Sequence, residues 1–141
     1  MTNDQWPMTN DQWLMIMKKI IYTTKAPKPV GPYSQAVEHN GILYIAGQVP
    51  IDPETGKLVE GSIQEQTEQV MRNIGAILAE AGYAFGEVVK SVCLLADMAD
   101  FKAMNAVYER FYPENPPARV AFAVKQLPLG ALIEIETVAA K

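Results

Sequence analysis

Hydrophobic positions along the chain fall into two helical stripes and several runs with the two-residue period of strands. Ile63, Val70, Ile74, Ile77, Leu78 and Ala81 recur at the spacing of an amphipathic helix. Ser62 and Glu65 form an S-x-x-E capping box ahead of them, and Gly82 behind them suits a C-terminal cap. Phe101, Met104, Tyr108 and Phe111 mark the face of a second helix, stopped near Pro113. "KKIIYT" (18–23) reads as a short strand. "YSQAVEH" and "ILYIAG" flank Asn40-Gly41, the strongest short hairpin signal in the chain. "EVVKSVCLLA" (87–96) is mostly apolar and predicts a central strand. Two final strands, about 118–125 and 132–139, are joined by "QLPLG" and predict a closing hairpin centred near Leu127-Pro128. Between these elements, "APKPVGP" (26–32) forces extended backbone, and "QVPIDPETGKLVEG" (48–61) reads as a loop with turn chemistry.

Strand, hairpin, helix, strand, helix, hairpin is the order of an α+β two-layer domain, with helices on one face of a mixed or largely antiparallel sheet. The other sheet face is left uncovered. A surface rich in Val, Ile and Phe does not stay wet, so self-association is expected.

The first 16 residues stand apart. "MTNDQW" occurs at 1–6 and again at 8–13, joined by Pro7. A short perfect duplication reads as a start-site feature outside the fold. The alternative is an extension whose Trp6 and Trp13 dock onto the domain or a neighbouring subunit. The domain proper is placed at 17–141, beginning at Met17.

Composition narrows the chemistry. With 141 residues the chain suits one domain. A net charge of -4 and a pI near 5.0 give no electrostatic footprint for nucleic acid or an anionic membrane. No apolar run approaches the ~20 residues needed to span a bilayer, so a cytoplasmic location is expected. Cys93 is the only cysteine, which excludes an intramolecular disulfide, and its apolar surroundings predict a buried small hydrophobe rather than a nucleophile. His39 is the only histidine; two-histidine metal sites are excluded within one chain, and a solvated strand end is its expected place. No glycine-rich phosphate loop is present. Catalysis, if any, is expected to use no metal and no cofactor, only arginine, carboxylates, backbone groups and water.

Arg119 is the candidate that stands out, inside the apolar run "PPARVAFAV" (116–124). Burying an unpaired guanidinium is costly, so an anion is expected beside it. With period two, Arg119, Ala121 and Ala123 share one strand face, and the small alanines leave room beside the charge. In the predicted hairpin, Ala121 falls opposite Glu134 and Arg119 opposite Glu136, so Arg119 and a glutamate line one face. Spacing alone admits two readings: a cross-strand ion pair without function, or an arginine that grips a small carboxylate while Glu134 handles water.

The segments "GPYSQA" (31–36), "YIAGQVPIDPETG" (44–56), "NIGAILAEAG" (73–82), "NAVYERFY" (105–112), "PPARVAFAV" and "LPLGALIEIE" (127–136) resemble the RidA/YjgF family of reactive-intermediate deaminases. The resemblance runs from Met17 to Ala140 with motif order kept. It implies a chorismate-mutase-like α+β fold in a trimeric, barrel-like assembly with ligand clefts between subunits. It also implies cofactor-independent hydrolysis of 2-iminopropanoate and 2-iminobutanoate to 2-oxo acids and ammonia, downstream of pyridoxal-phosphate-dependent dehydratases. By position, Arg119 becomes the substrate-carboxylate residue, Tyr33 the tyrosine contributed by the adjacent subunit, and Glu134 the group that positions water or shuttles its proton. Gly47 is expected to allow close backbone approach to ligand. Ala46, Asn105, Ala121 and Pro128 fall on positions that shape the cleft. Many bacterial members carry Ser in place of Ala46 and Cys in place of Ala121, which leaves the preferred imino acid open. Two other function classes stand beside the deaminase: a non-catalytic binder or regulator that senses 2-oxo acids, and an RNA-directed translation inhibitor or ribonuclease, which the acidic charge and single histidine disfavour.

Overall fold

Local signals build the longer helix. The computed structural model describes residues 8–141, apart from the side chains of residues 14–16. In it, helix α2 spans Ile63–Ala81. Glu65 accepts from the Ser62 backbone N–H at 2.9 Å, and Gly82 ends the helix in the left-handed region at φ 80°. Val70, Met71, Ile74, Ile77 and Leu78 form its buried stripe. Helix α3 spans Phe101–Tyr108 and tightens into a turn of 3-10 helix, Glu109–Phe111, before Pro113. A further short helix, α1 (Asn10–Ile16), lies in the second copy of the repeat and is capped by Thr9 and Gln12. Trp6 and the first copy lie outside the described residues.

The strands are β1 (Lys19–Ile21), β2 (Ala36–His39), β3 (Ile42–Gln48), β4 (Ile51–Asp52), β5 (Lys57–Leu58), β6 (Val88–Leu95), β7 (Ala118–Ala123) and β8 (Ile133–Ala140). Six of them form one sheet in the order β1-β2-β3-β8-β6-β7, antiparallel except for the β6–β7 pair. β2 and β3 make the hairpin expected at Asn40-Gly41, where both residues take positive φ. β4 and β5 form a small separate hairpin within the stretch read as a loop.

The predicted closing hairpin is corrected. β7 does not pair with β8; it runs parallel to β6 at the sheet edge, and β8 lies between β3 and β6. A strand–helix–strand unit returns its second strand parallel to the first, and α3 is the crossover between β6 and β7. Burial decides which of the last two strands takes the interior. Ile133, Ile135, Thr137 and Ala139 of β8 are fully covered, whereas β7 offers mostly small or exposed side chains suited to an edge.

The register defines two faces. Ser91, Cys93 and Leu95 of β6, with Ile133, Ile135 and Thr137 of β8, lie buried beneath the helices. The opposite face has no cover among the described residues: Ile20, Tyr44, Val120 and Phe122 stay 44–53% exposed. Cys93 is buried and His39 is exposed at the end of β2, as their settings in the sequence predict. Among the described residues, no helix is long and apolar enough to cross a membrane.

Candidate functional site

Arg119 extends from β7 on the helix-covered side, in register with the buried Ser91. Its Nη1 donates to Asn105 Oδ1 at 2.7 Å. Its guanidinium carbon stands 4.9 Å from the centre of the Tyr108 ring and 5.4 Å from that of Phe101. Beside it opens a cavity of about 580 Å³ lined by Asn105, Tyr108, Tyr112, Pro116 and Pro117 among others. Ala121 lies two residues along on the same face, half-buried and paired with Cys93. Among the described residues the only ion pairs join Glu68 to Arg72 and to Arg110. Among the described residues the half-buried Arg119 therefore has no carboxylate in ion-pair contact.

The expected ion pair across β7 and β8 does not form, and the reason is topological. Glu134 pairs with Leu94, and Glu136 with Val92, so both project from the uncovered face. Arg119 projects from the other. With β6 between the two strands, no one-residue slip unites them.

Glu134 instead joins the remaining sequence candidates. Tyr33, Ala46, Gly47, Pro128 and Glu134 all line one cavity of about 770 Å³. Gly47 lets the Glu134 carboxylate lie close against the backbone there. A Cβ on it would stand 3.0 Å from Glu134 Cδ and nearer still to Oε2, so the carboxylate would have to move. Its φ is not in the left-handed region, so the close approach and not the backbone conformation favours glycine. Burial, with the Glu136 charge second, raises the Glu134 carboxyl above its ordinary value. Tyr33 is 51% exposed, its hydroxyl accepting from the Val30 N–H at 3.3 Å.

Buried amides hold the cavity walls. Gln35 accepts from the Thr23 N–H at 2.7 Å and donates to the carbonyls of Thr23 and Pro27 at 2.9 and 3.0 Å, fixing the proline-rich connector. Asn73 of α2 donates to the Ile51 carbonyl at 2.9 Å, and Gln66 accepts from the Leu132 N–H at 2.8 Å. Sequence reading missed Gln35, Lys28 and Leu129 of this cavity. Leu129, a non-glycine residue at φ 59°, carries backbone strain at the rim, which no sequence pattern announces. Phe101 and Tyr108 were legible only as a helix core face.

The Cys93 thiol is pushed up to about 11 by burial, which outweighs the pull of Arg119 and leaves it a poor nucleophile. Burial likewise raises the Tyr108 and Tyr112 hydroxyls.

Comparison with known proteins places this arrangement. Residues 23–141 match the family described as Endoribonuclease L-PSP. A RutC family protein of Pyrococcus horikoshii is 54% identical over 125 residues, covering 89% of this chain and 99% of that protein. The 2-iminobutanoate/2-iminopropanoate deaminase of Mus musculus is 48% identical, covering 88% of this chain and 92% of that protein. TdcF of E. coli, solved with serine bound, superposes with a TM-score of 0.84 at 33% identity, covering 87% of this chain and 98% of that one.

Proposed function

Since this chain belongs to the RidA/YjgF family, we propose that it hydrolyses 2-imino acids such as 2-iminopropanoate and 2-iminobutanoate to 2-oxo acids and ammonia. The observation that carries the reading is Arg119, half-buried, held at one edge by Asn105, and without an ion-paired carboxylate among the described residues. A guanidinium so placed is suited to a small carboxylate gripped through paired N–H donors. Serine, bound in TdcF, is a ligand of that kind.

Arg119 and Glu134 lie on opposite sheet faces, so a site that uses both would draw them from two chains. We place it between subunits of a homotrimer, where Arg119 of one subunit meets the Tyr33–Gly47–Glu134 cavity of its neighbour. The uncovered apolar face supports such an assembly, because Tyr44, Val120 and Phe122 would otherwise stay wet.

In that site Arg119 holds the substrate carboxylate and so fixes the adjacent C=N carbon against a water molecule. Glu134 takes a proton as the water oxygen bonds to that carbon and passes it to the imine nitrogen, giving a carbinolamine. Glu134 then relays the hydroxyl proton to that nitrogen as the C=O forms and the C–N bond breaks, releasing ammonia. Positioning and charge stabilisation supply the acceleration. The substrates are enamine and imine products of pyridoxal-phosphate-dependent dehydratases.

A coupled assay tests this. Threonine dehydratase generates 2-iminobutanoate, and its conversion to 2-oxobutanoate is followed with and without the protein. Wild type is expected to accelerate the conversion and Arg119→Ala to abolish that effect while the oligomer persists. Acceleration by Arg119→Ala equal to wild type would sink the assignment. A wild type that binds 2-oxobutanoate but accelerates nothing would make the protein a 2-oxo acid binder instead.

A further inference from the structure

We propose that Phe101 and Tyr108 are positioning residues that clamp the Arg119 guanidinium for carboxylate capture. The inference rests on the reading of Arg119 as the carboxylate site. Phe101, Asn105 and Tyr108 stand at positions i, i+4 and i+7 of α3 and form one stripe. The Arg119 guanidinium carbon lies over both rings, 5.4 Å from the centre of one and 4.9 Å from that of the other. One helix face thus supplies two aromatic walls and, midway, the amide that fixes Nη1.

The need for a clamp follows from where Arg119 is rooted. Its strand is the sheet edge, and its same-face neighbour Ala121 has too small a side chain to hold a long flexible one. An arginine free to change rotamer loses that freedom on binding, and affinity falls accordingly. Ring faces attract the cation without consuming N–H donors, so the donors that Asn105 leaves free remain for the ligand. The Tyr108 contact to the cation runs through its ring, and among the described residues the one side chain that donates or accepts a hydrogen bond with the guanidinium is Asn105, so the ring is the part that acts.

The test measures affinity for 2-oxobutanoate by titration calorimetry, and KM and kcat on 2-iminobutanoate, in Tyr108→Phe, Tyr108→Leu, Phe101→Tyr and Phe101→Leu. The ring-keeping variants are expected to match wild type. The leucine variants are expected to weaken 2-oxobutanoate binding and raise KM by about tenfold each, with kcat within about twofold. Phe101→Leu, at a half-buried position, keeps the test alive should Tyr108→Leu not fold. If wild type binds 2-oxobutanoate and folded Phe101→Leu binds it equally well, the clamp is wrong and the Arg119 reading stands. If wild type itself fails to bind, the Arg119 reading falls and takes the clamp with it.

Discussion

A single methyl group at residue 47 is expected to disable the site without harming the fold. Ordinary contacts to a Cβ begin near 3.4 Å, whereas a Cβ at Gly47 would meet Glu134 Cγ at 3.3 Å, Cδ at 3.0 Å and Oε2 closer still. The carboxylate must therefore retreat by about 1 Å, a displacement that costs on the order of 100-fold when it misplaces a reacting group. The backbone does not object, because φ at Gly47 is open to L-residues. Replacing glycine by alanine where the conformation is compatible stabilises by about 0.4–1 kcal/mol through the unfolded chain. Gly47→Ala should accordingly lose about 100-fold in kcat/KM for 2-iminobutanoate, with Tm unchanged or slightly raised. Steady-state kinetics beside a thermal melt would read both. The cause is checked by a cycle on the residual activity: a Glu134→Ala background removes the three atoms nearest the added methyl, so Gly47→Ala should cost little more there. Wild-type kcat/KM in Gly47→Ala, or full additivity in the double variant, would refute the reasoning.

The acid limb of the kcat/KM–pH profile should lie above the ordinary carboxylate value of 4.5, because burial and then Glu136 hold the Glu134 proton on; Glu136→Gln should move that limb to lower pH. The same raised value has a stability consequence. Glu134 stabilises the fold only while protonated, below its unfolded value, and that contribution is lost as pH rises through the folded value, so Glu134→Gln should melt higher than wild type near pH 7 and equal it in acid. Cys93, buried and pushed up to about 11, should resist iodoacetamide in the native state and react in denaturant, and Cys93→Ala should keep activity. Finally, unfolding and refolding an equal mixture of the inactive Arg119→Ala and Glu134→Gln chains should restore activity. With sites built from two neighbours at random, about a quarter would draw Arg119 and Glu134 from intact donors. Recovery at background level would place each site within one chain.

What the sequence made legible was whatever local chemistry determines. The α2 caps, the Asn40-Gly41 turn and the apolar run of β6 each carry their own signal within a few residues, and each lies where it was expected. Strand partnership has no such signal. β7 and β8 are neighbours in sequence, and only the crossover of α3 and the heavier burial of β8 separate them by a strand. The site suffered accordingly: Arg119 was placed in its own strand but given β8 as partner and one face with a glutamate, whereas it pairs with β6 and lies on the opposite face. Phe101 and Tyr108 show a second limit, since helical periodicity marks a ring as inward-facing without saying whether it meets a methyl group or a cation. Gly47 shows a third, because a need for close approach was evident but the approaching group, Glu134, comes from 87 residues further along the chain.

The misplaced hairpin carries the functional argument. Had β7 paired with β8, Arg119 would have faced a glutamate of its own chain, and a structural ion pair would have explained both. The observed order removes that explanation and leaves a guanidinium held by Asn105 and two rings, with no ion pair among the described residues, although Glu109 lines the same cavity. A fold does not keep such a group half-buried against its desolvation cost unless something outside the chain repays it. On the opposite sheet face, Glu134 is held against Gly47 in a cavity without an arginine among its lining residues. Arg119 and Glu134 thus border separate cavities on opposite faces, and the shared site proposed above brings the two together only across a subunit boundary.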